Sequence, residues 1–465
     1  MKKALSLLLA LAMSLGMLGA SALAEDVPPQ EESAVQAPSV WAYDALADAY
    51  AMGMLDDNYT SYIQSPVTAD QLGKLTGVVA DKLALLELPE NELAPYELVI
   101  DTTRGGVMNA LYQEAAAYSL PGIEADPAMY LTQLGVVKGD QNGSLHTDRV
   151  CTFQEAMVMA ERLVLAVYDL CDAGSRGLLW KATNGDNTLY LLGTIHVDRN
   201  NVYPFHKSLR DAVAASQEVI FEVDFSDAED MAAYQAMMVY SDGTGLKDHV
   251  SPELYADTVA VCAQLGMTEE QVNAYKPWVL LLTLNNLLSQ DSTTSSNAMA
   301  IDLYLTSSAS NAGKTVGAVE TAVFQGAIFD GLSDEYQTEG LAAYVAMMKS
   351  ALSGEAAETE DDQAVQDALA QQDAVMGAMM EAWKNRDVDA FNAVFDKAAT
   401  LESSDEMNSK LFTERDPHMI EAAAGYLERE GENTFFLAVG AGHMVDPGGI
   451  VGGLRDLGYT VELVK

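Results

Sequence analysis

Hydrophobic positions along the chain change their rhythm three times. Ala4 to about Leu18 forms one apolar run, opened by Lys2 and Lys3 and followed by the small residues Ala22-Leu23-Ala24. That is the layout of a secretory signal, residues 1–24, cleaved after Ala24; the run is short for a bilayer span, and the Ala-x-Ala site argues against an uncleaved anchor. Residues 25–39 lose almost every large apolar side chain and gain Pro, Glu, Ser and Ala, which predicts a disordered linker. Over residues 40–172 apolar positions recur at helical spacing in short stretches broken by turn residues, which predicts a smaller, mainly helical N-terminal domain. From 176 to 465 strand-like runs alternate with long helical stretches.

In that second domain Leu178 to Ala182, an Asn184-Gly185-Asp186-Asn187 turn and Thr188 to Thr194 read as a β-hairpin. Further strands are expected at Val219 to Val223, Thr315 to Val319, Thr434 to Val439 and Thr460 to Val464, with helices including Met231 to Tyr240 and Ala364 to Lys384. The alternation predicts an α/β domain, a mixed sheet covered by helices. The apolar run Trp278 to Leu288 is too short to cross a membrane and is interrupted by Thr283, Asn285 and Asn286, so it reads as a buried helix and no transmembrane helix is expected in the mature chain. The acidic stretch Ser353 to Gln363 reads as a solvated loop or helix end.

A faint repeat runs through the helical domain. Ala49 to Leu55, containing Gly53, precedes Thr68-Ala69-Asp70-Gln71-Leu72; Leu131 to Val137, containing Gly135, precedes Thr152-Phe153-Gln154-Glu155-Ala156; Thr102-Thr103-Arg104-Gly105-Gly106-Val107 is a partial third copy. The glycine suits the end of one helix and the threonine the N-cap of the next. The layout resembles the S-layer homology domain, with which exported bacterial proteins hold cell-wall polymers. That family carries an arginine after the capping threonine; here only Arg104 supplies it, with Ala69 and Phe153 in the other places, so a helical spacer that binds nothing stands beside wall binding. Asp140-Gln141-Asn142-Gly143 opens like a calcium loop, but Cys151 stands where the closing glutamate belongs, and a plain turn is expected.

Charge narrows the function. The 465 residues carry 25 Lys+Arg against 69 Asp+Glu, a formal net charge of −44. Such a surface repels phosphate backbones and anionic headgroups, which excludes a general nucleic-acid binder and a basic membrane-surface protein. Cys151, Cys171 and Cys262 are too few and too scattered for a disulfide framework or a Cys-x-x-Cys zinc site, and are expected as ordinary thiols.

Histidine is scarce, and two of the six share a context: Gly193-Thr194-Ile195-His196 and Gly440-Ala441-Gly442-His443 each follow a strand. Ligands gather at the carboxyl ends of strands in open α/β sheets, so the two imidazoles are expected at one site. Glu222 and Asp224 lie in or just past a strand and Glu320 ends another. Carboxylates so placed need a partner, and a metal ion or a catalytic water would be one. Two imidazoles with one or two carboxylates suit Mn²⁺, Co²⁺ or Zn²⁺ and leave room for a water whose lowered pKa makes it a hydrolytic nucleophile. The duller reading pairs Glu222 and Glu320 with Arg415 as buried salt bridges. His206 and His418 read as structural or surface residues and His249 as a surface pair with Asp248. A dinucleotide loop at Gly440 is excluded because Val445 occupies the third glycine position and too little chain remains for a Rossmann domain; no Gly-x-Ser-x-Gly elbow supports a serine hydrolase.

Over roughly Gly177 to Lys465 the ordered series of motifs resembles the TraB/GumN group, which includes the Tiki membrane proteases. It comprises the tryptophan-containing hairpin before Gly193 to His196, Phe221-Glu222-Val223-Asp224, Ile301 to Leu305, Gly313 to Val316, Glu320-Thr321 with Gln325, Arg415-Asp416, and Gly440 to His443 running into Gly448-Gly449. The resemblance implies an α/β domain with a divalent-metal peptidase centre acting on a peptide or protein substrate, and the signal adds that the protein is secreted, with the S-layer-like repeats allowing association with the cell wall. His196, His443 and Glu222 would bind the divalent ion, with Glu222 a ligand or general base, Glu320 supporting the site, Arg415 stabilising an oxyanion, and Asp224 and Asp302 behind them. Two rivals remain: a non-catalytic protein that sequesters a peptide or signal in the same pocket, and a metal-free hydrolase with a histidine base.

Overall fold

The computed structural model describes residues 36–56, 58–91, 100–123, 126–195, 202–224, 226–288, 300–353, 360–403 and 405–465. Residues 1–35, which hold the expected signal and most of the expected linker, and His196 lie outside these residues.

The N-terminal part is helical, with helices Tyr43–Ala51, Ala69–Ala84, Arg104–Ala116, Pro127–Gln133 and Phe153–Leu170. Its repeat has a local physical cause. Thr68, Thr103 and Thr152 each cap a helix, and Thr68 and Thr152 close capping boxes with Gln71 and Glu155, so backbone N–H groups that have no intrahelical partner are satisfied. Gly53 and Gly135 follow their helices at φ 70° and 73°, the left-handed conformation that favours glycine. Arg104 and Arg149 both pair with Glu155, which ties the third copy to the second. Asp140 to Ser144 is a plain turn, in which the Asp140 carboxylate accepts from the N–H groups of Asn142 and Ser144.

The C-terminal part is built on a mixed sheet of β1 (Leu178–Asn184), β2 (Asn187–Thr194), β3 (Glu218–Val223), β4 (Thr315–Glu320), β5 (Thr434–Gly440) and β6 (Thr460–Leu463), in the order β4-β3-β5-β2-β1-β6. Helices cover it. The hairpin β1–β2 turns through Gly185 at φ 56°, and β1 is antiparallel to both its neighbours while β2, β3, β4 and β5 run parallel. Those four strands therefore end on one edge of the sheet. β5, last of them in sequence, inserts between β2 and β3, and its run Phe435 to Gly440 is buried, as a strand covered on both faces requires.

The run at Trp278 is the helix Pro277–Leu288, buried from Pro277 to Asn285, and among the described residues no helix is long and apolar enough to cross a membrane. The helix expected at Met231 to Tyr240 lies earlier, at Ala228–Met237. Asp227 caps its start, and Val239 bridges to Tyr275 beyond its end. Residues 354–359 of the acidic stretch lie outside the described residues, between helices Asp334–Ser353 and Glu360–Asn385. All three cysteines are free. Polar contacts join the two parts: Tyr304 donates to Asp48 at 2.7 Å, Arg210 pairs with Asp169, and His206 meets Asp172 at 2.9 Å.

Candidate functional site

The shared edge collects the acidic residues. Glu222 is the penultimate residue of β3 and Glu320 the last of β4, while β5 ends at Gly440 and passes into the one-turn helix Ala441–Met444 that carries His443. Thr194, at the end of β2, pairs with Gly440, so the chain leading to His196 leaves the sheet beside the chain leading to His443. Gly193, the first residue of its Gly-x-x-His motif, permits this close approach: a Cβ there would sit 2.9 Å from the Ala441 Cα, while one on Gly442 would sit 3.0 Å from the Phe412 ring. Trp383 fixes the β2 end by donating its indole N–H to the Gly193 carbonyl at 2.6 Å.

Arg415, fully buried, stands immediately before the helix Asp416–Leu427 and reaches across both strand ends. Its Nε donates to Glu320 at 3.0 and 3.1 Å, and its Nη2 donates to Glu320 at 2.7 Å and to Glu222 at 2.8 Å. Gln325 donates to both carboxylates at 3.0 Å, and the Gly440 N–H donates to Glu222 at 2.6 Å. Burial acts to lower the Arg415 pKa, but the Glu222 and Glu320 carboxylates outweigh it and hold the guanidinium firmly charged. The salt-bridged arrangement weighed from the sequence is thus present. Glu320 is sealed within it, and Glu222 keeps 12% of its side chain exposed.

The second constellation centres on His443, whose Nδ1 lies 2.7 Å from Asp416 Oδ1. The other oxygen of Asp416 accepts from Lys397 at 2.8 Å, and Lys397 also donates to the Val445 carbonyl at 2.9 Å. Burial lowers the Lys397 pKa, against the pull of Asp416. Two buried polar atoms lack a hydrogen-bond partner among the described residues here: His443 Nε2 and Arg415 Nη1. Buried polar atoms are ordinarily paired, so each is a candidate contact for a bound group.

The donors suit a divalent ion in part. His443 presents an unpaired Nε2 with its Nδ1 held by a carboxylate, the arrangement that orients an imidazole ligand, and Glu222 Oε1 keeps a lone pair beyond its bond from Gly440. Among the described residues no group of three or more His, Cys, Asp or Glu could hold a metal ion; His196 lies outside them. Asp224 forms a turn instead, accepting from the Ser226 N–H and hydroxyl at 2.9 and 2.6 Å, and Asp302 sits buried in the first turn of the helix Ile301–Asn311. His206 caps the helix Lys207–Ala215, and His418, exposed, bonds the Val319 carbonyl at 2.9 Å, both in keeping with structural or surface roles. His249 stacks on Tyr240 at 4.2 Å and bonds Thr244, while Asp248 accepts from the Gly245 N–H; the expected His249–Asp248 pair is replaced because the carboxylate satisfies a helix start.

The sequence profile of the TraB/PrgY/gumN family matches residues 178–463, the span that holds the sheet and every residue of this site. The chain belongs to the TraB/PrgY/gumN family. Curated relatives include Metalloprotease TIKI1 of Danio rerio, 25% identical over 310 residues that cover 60% of this chain and 61% of the relative. Metalloprotease TIKI1 of Homo sapiens is 24% identical over 304 residues, covering 60% of each, and the Metalloprotease TIKI homolog of Nematostella vectensis is 22% identical over 306 residues, covering 59% and 64%. The chain thus spans about three fifths of the length of these relatives. No solved structure matches. Within this TraB/PrgY/gumN chain, sequence reasoning assigned no role to Lys397, Asp416 or Gln325. Asp416 and Gln325 stand in recognisable motifs, but Lys397 opens a short helix after Asp396 and has the local pattern of a surface lysine.

Proposed function

We propose that this chain is an exported, divalent-metal-dependent peptidase, with residues 40–172 as a helical domain of its own beside the hydrolase. The observation that carries the reading is the buried His443 imidazole, its Nδ1 anchored by Asp416 and its Nε2 unpartnered among the described residues, beside the strand end that leads to His196. His443, His196 and Glu222 would hold the ion. A divalent ion there supplies Lewis-acid activation of water and of the scissile carbonyl. Glu222, partly exposed and polarised by Gly440, Arg415 and Gln325, moves the proton as general base. Arg415 spends Nε and Nη2 on the glutamates and retains Nη1 as the donor to the oxyanion that develops on the peptide carbonyl. Glu320 positions Arg415 and does not meet substrate. The names of the relatives support the reaction class, and the acidic composition favours a peptide over nucleic acid; cell-wall attachment through the helical repeat is a further part of the proposal.

The test is digestion of a peptide library by the full mature chain, read by mass spectrometry with Mn²⁺, Co²⁺ or Zn²⁺ and with chelator. Metal-dependent cleavage abolished in His443→Ala and Glu222→Gln is expected; cleavage that persists in chelator would sink the reading. The ion-pairing of Glu222 and Glu320 favours the rival, a peptide-sequestering protein, which predicts peptides bound intact. Wall attachment predicts that the full chain sediments with cell-wall sacculi.

A further inference from the structure

We infer that Lys397 and Asp416 are positioning residues that hold His443 as the Nδ1–H tautomer, with its Nε2 lone pair free for a ligand; the assignment of that ligand as a metal ion rests on the function proposed above. An ionised carboxylate only accepts hydrogen bonds, so a 2.7 Å contact between Asp416 Oδ1 and His443 Nδ1 requires a proton on Nδ1, and in the neutral ring it leaves the lone pair on Nε2, the atom left unpartnered among the described residues. A carboxylate alone can rotate and exchange its oxygens. Lys397, whose side chain is completely buried, prevents this by taking Oδ2 at 2.8 Å. Its second bond, 2.9 Å to the Val445 carbonyl, ties it to the chain two residues beyond the imidazole. Phe412 packs against both ends of this relay, with its ring 5.3 Å from Lys397 Nζ and 5.3 Å from the His443 ring. The lysine therefore locks the carboxylate to the same backbone that carries the histidine. Burying an ion pair yields little stability over an apolar replacement, whereas it does fix geometry.

The experiment uses the full mature chain with ¹⁵N-labelled histidine. Long-range ¹H–¹⁵N spectra of the wild type should show His443 protonated at Nδ1, and Lys397→Met should populate the Nε2–H form. In parallel, Co²⁺ titration followed by visible absorption should show Lys397→Met weakening binding by about tenfold to a hundredfold at unchanged stoichiometry. A wild-type His443 found as the Nε2–H tautomer overturns the inference without any variant. So does a folded Lys397→Met protein with unchanged tautomer and unchanged Co²⁺ affinity. Should Lys397→Met fail to fold, Asp416→Asn takes its place, with the same tautomer shift expected and its absence contradicting the assignment. A wild type that binds no Co²⁺ yet shows the Nδ1–H form and its shift in the variant overturns the metal reading alone.

Discussion

Removing Arg415 tests the electrostatic centre of the site. Arg415→Met keeps most of the apolar stem and deletes the guanidinium, leaving Glu320, with no exposed side-chain surface, without its counter-charge, and Glu222, with 12% exposed, able to rehydrate. Stranding one charge of a buried pair costs about 3–5 kcal/mol, and here most of that falls on Glu320. Replacing Glu320 as well, in Arg415→Met/Glu320→Met, removes the stranded charge and should recover all but about 2 kcal/mol, a coupling that a double-mutant cycle isolates. Urea unfolding followed by the fluorescence of the buried Trp180, Trp278 and Trp383 reads all of this. A loss under about 1 kcal/mol at pH 8, or a double variant as unstable as the single one, would refute the reasoning.

Other consequences are independent of that cluster. Thr152 accepts from the Glu155 N–H at 3.3 Å in a capping box, so Thr152→Ala should lower stability by about 1 kcal/mol, and an unchanged thermal midpoint would contradict the capping role. Burial pushes Asp48 up to about 6, against the hydrogen bond from Tyr304 and the charge of Arg210. A carboxyl whose folded pKa exceeds its unfolded one favours the fold below about pH 4 and loses that contribution as pH rises through 6, so Asp48→Asn should gain up to about 3 kcal/mol over the wild type at pH 8 and nothing at pH 4. Denaturation midpoints at the two pH values decide it. Gly193→Ala pushes a methyl to 2.9 Å from the Ala441 Cα, a backbone contact that cannot yield cheaply; about 1–3 kcal/mol of lost stability should appear together with weakened Co²⁺ binding, and a wild-type-like protein would show that the two Gly-x-x-His turns are not in contact.

What the sequence disclosed was local. The capping threonines Thr68 and Thr152, the glycine turn at Gly185 and the apolar strands β3, β4 and β5 are each written in a few adjacent residues, and their positions follow directly. The insertion of β5 between β2 and β3 has no local signature, because it depends on contacts between segments far apart in the chain. The same distinction runs through the site. Strand-end placement exposed Glu222, Glu320 and His443 to sequence reasoning, which also offered Arg415 as a salt-bridge partner to both glutamates; that pairing is realised because the sheet order brings the ends of β3 and β4 together. Lys397 was invisible. Its burial is imposed by Phe412, Asp416 and Val445, none of which is its sequence neighbour.

The most direct test of the metal-site claim is metal content. Purified mature chain, wild type beside His196→Ala/His443→Ala, is exposed to Mn²⁺, Co²⁺ and Zn²⁺, desalted and analysed for bound metal. The account predicts stoichiometric metal in the wild type and its loss in the double variant. Absence of metal from both proteins, or equal retention by both, would contradict it.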